Sequence, residues 1–371
     1  MTSEPDNPRP AGGRHGPERF FQGHKLPMSP AEALQAFSHC MTKHERREIK
    51  AYNNIWFLGL DAKKIHGFRY AKENNHGFDN SENFYEQVTG DHIGYRYEVL
   101  GVLGQGNFGQ VLKCFDHEYN ELVALKLLRN KPSCHRQGVV ELMILQRLAE
   151  RDPGDAYHAI RMKDGLVFRN HICIAFELLG SDLSSMVAGK GLRESYVRKC
   201  ASSILSCLQL LERENIVHGD LKLENVGISN KDPETLKVID FGISQIQHKP
   251  KHYGVFQSQH IRAPEVMLGL LCTNAIDMWS FGCCMIELLT GQIAFIGEDE
   301  IQQLTHTIEV ILKAAGCFVL LIYHVRHEQG RPHLIRLDQS GEDILPGSKG
   351  LESVLGTRDP DLLDFIKCCL Q

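Results

Sequence analysis

The chain has 371 residues, of which 42% are hydrophobic, and 41 Lys and Arg residues against 46 Asp and Glu residues give it a formal net charge of −5. This composition excludes disorder along the whole chain and provides no broad basic field for binding nucleic acid. The longest apolar run, Ala314–Tyr323, is ten residues long, whereas a membrane-spanning helix needs about 20. The 12 cysteines never form Cys-x-x-Cys, so we expect reduced thiols in a cytoplasmic or nuclear protein that binds neither nucleic acid nor membrane.

The first part of the chain divides into an arm and an accessory region. Residues 1–30 contain six of the 14 prolines, which predicts a disordered arm. In residues 31–96, apolar spacing after Pro30 predicts a helix that begins with a proline in its first turn. A second, charged helix is predicted over Lys43–Tyr52, and the polar, Asn- and Gly-rich residues 72–91 are typical of a loop.

From residue 97 onwards the pattern changes to short strands and then to helices. Three apolar runs separated by turn residues predict an antiparallel sheet, at Tyr97–Leu103, Gln110–Phe115 and Glu121–Leu128. One helix follows at Gln137–Leu148, and the clearest later helix carries an apolar stripe over Val197–Leu211. The predicted fold class is α+β, with a small antiparallel β lobe containing one key helix and a larger, mostly helical lobe.

A glycine-rich loop joins the first two predicted strands. Gly104, Gly106 and Gly109 fit the pattern G-x-G-x-x-G-x-V, a spacing that also occurs in dinucleotide-binding oxidoreductases. In those folds a helix follows and an acidic residue stands about 20 positions on. Here a strand follows, and Lys126 stands 20 residues beyond Gly106. This arrangement favours a loop that folds over phosphates, with Lys126 neutralising their charge.

Lys126 requires an anionic partner because an unpaired ammonium on a buried strand is costly. Glu141 lies 15 residues downstream, within the apolar residues of the predicted helix. A carboxylate in such surroundings is typically paired. We therefore predict an ion pair between Lys126 and Glu141 that holds the lysine toward the nucleotide.

A candidate catalytic loop follows the striped helix. The segment His218–Asn225 has Asp and Asn five residues apart, as in the H-x-D-x-x-x-x-N loop of protein kinases. In that arrangement Asp220 accepts or orients the proton of a substrate hydroxyl, and Lys222 offsets charge on the transferring phosphoryl group. Asn225 is the predicted first ligand of a magnesium ion.

A second metal ligand is predicted at the end of the next strand. Asp240 opens the sequence Asp-Phe-Gly and would bridge the metal to the nucleotide phosphates. Ala263–Glu265 reads Ala-Pro-Glu and closes the segment that follows Asp240. Asp277 opens a helix that is expected to buttress the catalytic loop.

These motifs, in this order, resemble those of eukaryotic protein kinases and, more narrowly, of the second class of dual-specificity tyrosine-phosphorylation-regulated kinases (DYRK). Asp91–Leu100 is similar to the homology box of that family, and the segments Phe168–Cys173 and Phe176–Leu179 resemble its fifth strand and hinge. Leu26–Lys64 resembles the accessory region that precedes the kinase domain. The match is close over Leu26–Val310 and weaker beyond it, so the C-terminus is expected to be incomplete.

The resemblance implies a kinase domain over 97–371, with a small lobe at 97–176, a hinge at 177–182 and a large lobe at 183–371. It also implies ATP and Mg²⁺ as cofactors, protein substrates and a monomeric enzyme. Phe176 would be the gatekeeper beside the adenine. The full set of residues implied to bind the nucleotide is Leu103, Gly104, Gly106, Gly109, Val111, Ala124, Lys126, Phe176, Glu177 and Leu179.

The activation segment departs from the family pattern. Members of the family autophosphorylate a tyrosine at the position that holds Val255 here. One of the arginines that would bind its phosphate is replaced by Gln259, whereas Arg262 is kept. The usual phosphate latch is therefore expected to be absent, and phosphorylation of Tyr253 in its place is weakly supported because Gly254 follows it.

Two glycines also depart from the family. Gly227 replaces a leucine beneath the adenine, and we expect the lost contact to cost about 2 kcal/mol, or roughly thirty-fold in nucleotide affinity. Gly219 replaces a cysteine and is expected to loosen the catalytic loop. Neither change removes a charged catalytic group.

Two functions fit these observations. The first is a protein kinase that transfers the γ-phosphoryl group of ATP to Ser or Thr hydroxyls, and also to Tyr. The alternative is a kinase-like scaffold with little or no turnover, which Val255, Gly227 and the short C-terminus favour.

Overall fold

A computed structural model of the chain describes residues 19–67, 73–187, 189–252, 256–311, 323–328, 331–336 and 349–370. Tyr253, Gly254 and Val255 lie outside these residues, as does nearly all of the apolar run that ends at Tyr323. The described part contains no helix with both the length and the apolar character needed to cross a bilayer. Every cysteine in it has a free thiol.

The strands are short except in the N-terminal half of the kinase-like region. In chain order they are β1 Phe20–Phe21, β2 His24–Lys25, β3 His92–Ile93, β4 Tyr97–Gln105, β5 Gly109–Asp116, β6 Glu121–Leu128, β7 Met162–Phe168, β8 His171–Glu177, β9 Ile216–Val217, β10 Val226–Ile228, β11 Leu236–Val238, β12 Gln245–Ile246, β13 Lys251–His252, β14 Leu271–Cys272, β15 Tyr323–Glu328 and β16 Arg331–Arg336.

The helices lie mainly in the C-terminal half. The α-helices are α1 Pro30–Phe37, α2 Glu45–Glu48, α3 Asn74–Gly77, α4 Pro132–Arg151, α5 Leu183–Val187, α6 Glu194–Arg213, α7 Pro264–Met267, α8 Ala275–Thr290, α9 Glu300–Ile311, α10 Leu351–Leu355 and α11 Pro360–Cys369. Short 3₁₀ turns cover Ile49–Ala51, Leu223–Asn225 and Gln259–Ile261.

The small lobe is a six-stranded antiparallel sheet with α4 packed against it. The strand order is β3-β4-β5-β6-β8-β7, so β5 and β6 stand side by side near the centre. The helix α4 turns Ile144, Leu145 and Leu148 into the core. It approaches the sheet closely: a Cβ on Gly138 would lie 2.2 Å from Leu128 Cδ1, so any larger residue there would have to displace the Leu128 side chain.

The large lobe packs mainly helices around the amphipathic α6, whose predicted stripe is buried. Both α6 and the apolar α8 contribute to one continuous core that extends into the small lobe. The hairpin of β10 and β11 lies against α6 and brings the catalytic loop beside the strand that precedes Asp240. The predicted α+β bilobal fold is confirmed.

The accessory region has its own small core. Ser29 and Glu32 form a capping box at the start of α1, where the Ser29 backbone N–H donates to Glu32 Oε2 over 2.7 Å. Buried Phe37, Ile55 and Tyr95 pack together below this helix. The structure differs from the sequence prediction at residues 19–30, because β1 and β2 form an ordered ribbon there; Phe21 packs on Phe37 with ring centroids 5.7 Å apart.

Buried ion pairs join the accessory region to the small lobe. Glu48 accepts hydrogen bonds from both Arg169 Nε and Nη2, over 3.1 and 3.0 Å, and from the hydroxyl of Tyr95 over 2.9 Å. Lys64 lies between Glu45 and Asp91, donating to Asp91 Oδ1 over 3.0 Å. The Lys64 ammonium lies between the two carboxylates of the cluster of Glu45, Asp91 and His92, which therefore forms an ion-pair network in this structure.

Replacing Glu48 by glutamine is expected to destabilise the fold at neutral pH by about 3 kcal/mol. Burial raises the pKa of Glu48, but hydrogen bonds from His44 and Arg169 outweigh it and hold the pKa at about 2. A carboxyl group whose pKa is lower in the folded than in the unfolded chain stabilises the fold when the pH is above 4.5, the ordinary pKa of glutamate. This stabilisation is lost as the pH falls toward 2. Denaturant unfolding should therefore show a wild-type advantage over Glu48→Gln that shrinks below pH 4.5; a constant difference would contradict the assignment.

Candidate active site

The cleft between the lobes brings together three charged side chains from distant parts of the chain. Lys126 on β6 lies with its Nζ 2.7 Å from Glu141 Oε1 of α4 and 2.8 Å from Asp240 Oδ1 of the large lobe. The predicted ion pair between Lys126 and Glu141 is therefore present. A Cβ on Gly242 would lie 3.0 Å from Lys126 Nζ and 2.9 Å from Asp240 Oδ1, so glycine at this position lets the two groups meet.

The electrostatics of this cluster keep the lysine charged. Burial lowers the pKa of Lys126, but the carboxylates of Glu141 and Asp240 raise it by more. Burial tends to raise the pKa of Asp240, yet the Lys126 ammonium holds it below its ordinary value. Burial raises the pKa of Glu141, whose Oε2 has no hydrogen-bond partner. The cluster thus presents one firmly charged cation and an ionised carboxylate to the cleft.

The catalytic loop is held by Asp277 at the start of α8, as the sequence predicts. The backbone N–H groups of His218 and Gly219 donate to its two carboxylate oxygens over 2.6 and 2.9 Å. His218 is buried, with Nε2 3.1 Å from the carbonyl of Ile239 and Nδ1 3.2 Å from the Asp220 N–H. Since Nδ1 accepts that bond, Nε2 is the nitrogen that donates. These contacts fix the backbone on both sides of Asp220.

Gly219 suits its position in the fold. Its φ is +81°, and a Cβ there would lie 2.2 Å from the ring of Phe256. The buried Phe256 ring therefore fills the space beside this glycine, and the expected loosening of the loop stays a prediction.

Asp220 lies at the centre of a hydrogen-bonded group in the large lobe. Lys222 Nζ is 2.8 Å from Asp220 Oδ2, and Asn225 Nδ2 is 3.1 Å from the same oxygen. The hydroxyl of Ser258 donates to Asp220 Oδ1 over 2.6 Å, and Lys222 Nζ donates to that hydroxyl over 3.1 Å. Ser258 was not predicted from the sequence, because no local motif marks a serine of the activation segment as a partner of the catalytic loop.

The residues predicted to bind metal lie next to each other in the fold. The Ile239 N–H donates to the carbonyl of Asn225 over 2.9 Å, which places Asn225 beside the residue that precedes Asp240. Asp240 adopts a left-handed φ of +62° and is half exposed toward the cleft. Since Asn225 Nδ2 donates to Asp220, its remaining polar atom is a carbonyl oxygen. An amide oxygen and a carboxylate are the hard ligands that suit a divalent cation such as Mg²⁺.

The glycine loop and the adjacent strands form the roof of the cleft. Gly104 and Gly106 have open space where a side chain would stand, which provides the kind of cradle that phosphates fill. At the other end of the loop, a Cβ on Gly109 would lie 2.3 Å from the Leu127 carbonyl, so glycine is required where β5 meets β6.

Three of the predicted nucleotide contacts, Val111, Ala124 and Phe176, lie with Lys126 on one face of the same sheet. Val111 pairs with Lys126, and Ala124 pairs with Phe176. Because Ala124 and Lys126 are two residues apart on one strand, their side chains share a face. Leu103 is half exposed near the end of β4, and Glu177 ends β8 at the hinge, where its side chain lies 2.8 Å from Lys237 Nζ.

The space beside Gly227 is filled by a neighbour. Leu179 Cδ1 lies 2.5 Å from the position that a Cβ on residue 227 would take. No cavity therefore stands beside the glycine at that position. The expected loss of nucleotide affinity stays a prediction.

The described part of the activation segment is held by contacts of Arg262 and Gln259 within the chain. Arg262 Nε and Nη2 each donate over 2.9 Å to the carbonyls of Phe256 and Gln257. Its Nη1 lies 3.0 Å from Glu300 Oε1. Gln259, at the position of the missing arginine, donates to the Gly297 carbonyl over 2.8 Å. Arg262 thus has an anionic partner within the chain, whereas Val255 and Tyr253 lie outside the described residues.

Comparisons with known proteins agree with this geometry. The protein kinase domain family matches residues 97–371. The chain is 43% identical over 359 residues to human "Dual specificity tyrosine-phosphorylation-regulated kinase 4", covering 95% of this chain and 68% of the relative. It is 38% identical to the mouse kinase 3 of that name, covering 93% of this chain and 62% of the relative.

A more distant organism gives the same result. The Drosophila melanogaster "Dual specificity tyrosine-phosphorylation-regulated kinase 2" is 38% identical over 353 residues, which cover 93% of this chain and 49% of the relative. The chain thus spans between about half and two thirds of the length of these relatives. The family match, these relatives and the cleft between the two lobes show that the chain belongs to the protein kinases and, within them, to the dual specificity tyrosine-phosphorylation-regulated kinases.

Proposed function

We propose that the chain transfers the γ-phosphoryl group of ATP to Ser and Thr hydroxyls of protein substrates, with Tyr as a further acceptor. The observation that carries this proposal is the convergence of Lys126, Asp220, Asn225 and Asp240 on one cleft. Phosphoryl transfer needs charge neutralisation and positioning more than covalent chemistry from the protein, and this set of groups provides both.

Each group has a distinct part in the reaction. Asp220 orients the acceptor hydroxyl, in the way that it already accepts the hydroxyl hydrogen of Ser258 over 2.6 Å. Lys222, 2.8 Å from Asp220, offsets negative charge that develops on the phosphoryl oxygens. Lys126 holds the phosphates of the nucleotide from the roof of the cleft.

Mg²⁺ is proposed as the divalent cation, with Asn225 and Asp240 as its ligands in the chain. When bound, it neutralises charge on the β- and γ-phosphates and aligns them. The position of Asp240 is fixed in advance by Lys126 and by the Gly242 N–H, which donates to its Oδ1 over 3.2 Å. This preorganisation avoids movement of the ligand during the reaction.

We also propose that the chain acts as a monomer, in the cytoplasm, the nucleus or both, without a nucleic-acid or membrane partner. The net charge of −5 supports the absence of a nucleic-acid partner, and the cysteine pattern supports a location in the cytoplasm or nucleus. The scaffold alternative has no observation in its favour in the described structure, since the predicted charged set is kept and Leu179 lies beside Gly227.

The proposal is tested by incubating the purified chain with radiolabelled ATP, Mg²⁺ and a generic basic protein. We expect label on the basic protein, with phosphoserine and phosphothreonine as the main products on hydrolysis. Chelation of the metal should abolish the transfer. A folded chain whose melting temperature rises with ATP but which transfers no label would establish the scaffold alternative instead.

A further inference from the structure

A loop of the accessory region reaches the tip of the phosphate loop. This accessory loop, Asp79–Tyr85, is rigid by its own hydrogen bonds. The side-chain oxygen of Asn80 accepts from the N–H groups of Glu82 and Phe84 over 2.9 and 3.0 Å. Phe84 and Tyr85 are buried. The loop is thus a preformed turn and not a flexible linker.

Arg129, which follows β6, connects this accessory loop to the phosphate loop. Its Nε and Nη2 both donate to the carbonyl of Glu82, over 3.0 and 2.7 Å. Its Nη1 donates to the carbonyl of Asn107 over 3.1 Å, and its backbone N–H donates to that of Phe108 over 2.9 Å. The guanidinium also stacks 4.5 Å from the centre of the Phe84 ring. The guanidinium of Arg129 therefore donates hydrogen bonds to backbone carbonyls of both loops.

Two neighbouring residues repeat this connection. Gln110, buried at the start of β5, donates through Nε2 to the Tyr85 carbonyl over 2.7 Å. Asn130 donates through Nδ2 to Asp79 Oδ2 over 2.9 Å. The accessory loop is thus connected to the tip of the phosphate loop through Arg129, to the C-terminal end of that loop through Gln110, and to Asn130, two residues before α4.

We infer that Arg129 is a positioning residue that holds the phosphate loop in its nucleotide-binding shape by tethering it to the accessory loop. Glycines at 104, 106 and 109 give this loop backbone freedom, so an external restraint is needed to reduce the entropy lost when it closes on phosphates. Arg129 supplies that restraint from outside the cleft. The inference rests on the proposed function, since it assigns ATP phosphates to this loop.

The test compares Arg129→Ala with the wild-type chain in two measurements. In the free protein, hydrogen–deuterium exchange of amides in residues 104–110 should become faster, because the Asn107 carbonyl loses its restraint. By calorimetry, the Kd for ATP with Mg²⁺ should rise about ten-fold. The Kd for adenosine should stay within about two-fold, since adenosine has no phosphate for the loop to contact.

The matched control is Lys163→Ala, which removes a cation of the same sheet whose partner is Glu121. It should change neither exchange in the phosphate loop nor the Kd for ATP. If Arg129→Ala does not fold at the assay temperature, Arg129→Lys is measured in its place. Lysine keeps the positive charge but lacks the planar guanidinium that binds two carbonyls at once, so the Kd for ATP should still rise more than the Kd for adenosine.

Equal weakening of ATP and adenosine, or unchanged exchange and affinity in a folded Arg129 variant, would overturn the inference. Neither measurement needs turnover. A wild-type chain that binds ATP without transferring phosphate would therefore contradict the proposed function. The role of Arg129 in ATP binding could still be tested with that protein.

Discussion

Replacing Asp220 by asparagine is expected to lower kcat for phosphate transfer by about 1,000-fold, whereas the Kd for ATP should change by less than about three-fold. Asparagine keeps the shape of the side chain and its contact with Ser258, but it cannot accept a proton. Because Asp220 contacts Lys222, Asn225 and Ser258, and no predicted nucleotide contact, its loss should affect chemistry and not binding. Initial rates at saturating ATP, with calorimetry of the same samples, measure both effects.

The matched control is Asp232→Asn, an exposed aspartate whose carboxylate caps the turn at Glu234 and Thr235. It should leave kcat unchanged. If Asp220→Asn retains more than about a tenth of the wild-type rate, Asp220 does not handle the substrate proton and the assignment of the catalytic loop is wrong.

Replacing Lys126 by methionine is expected to lower the free energy of unfolding by about 3 kcal/mol and to abolish transfer. Removal of the ammonium leaves Glu141 buried without its counter-charge, 1% exposed, with Asp240 nearby. The same change removes the cation that the nucleotide phosphates would contact. Denaturant unfolding at pH 7 and a transfer assay measure the two losses separately.

The double variant Lys126→Met, Glu141→Leu separates structure from function. With both charges gone, the apolar pair should recover most of the lost stability, since an apolar replacement of a buried ion pair is often neutral or stabilising. Transfer should stay absent. Recovery of activity with stability would show that Lys126 acts only through the fold, and that its predicted contact with phosphate is incorrect.

The charged residues of the site were predictable because each belongs to a local pattern of fixed spacing. Lys126 ends an apolar strand after a glycine loop, and Asp220 and Asn225 stand five positions apart in one loop. These side chains lie close to Asp240 because of the order of the strands, and turn residues in the sequence indicate where those strands begin and end. Short motifs were therefore sufficient to predict that these charged side chains lie close together, whereas their catalytic roles stay predictions.

Contacts that join distant backbone atoms were not predictable. Arg129 binds the backbone carbonyls of Glu82 and Asn107. Every residue has a backbone carbonyl, so the amino-acid sequence does not indicate which carbonyls accept these hydrogen bonds. Ser258 meets Asp220 only because the activation segment folds back across 38 residues. The ring that packs beside Gly219 belongs to Phe256, which is also far along the chain, so this contact was not predicted.

Helix boundaries and the ordered residues 19–30 show the same limit. The periodic pattern placed a helix at Gln137–Leu148, whereas α4 begins at Pro132, which suits a first helical turn but breaks the apolar spacing. Residues 19–30 are ordered because Phe21 packs on α1, and their own composition favours disorder. Packing against a neighbouring element determined both outcomes.

The central claim is that Lys126, Asn225 and Asp240 act on one metal-bound triphosphate. Calorimetry of ATP binding with Mg²⁺ and with a chelator, in the wild type and in Asp240→Asn, tests it most directly. We predict that Mg²⁺ strengthens ATP binding to the wild type by about ten-fold or more, and that Asp240→Asn loses this gain. An equal gain from Mg²⁺ in both proteins would show that Asp240 holds no metal, and would contradict the account.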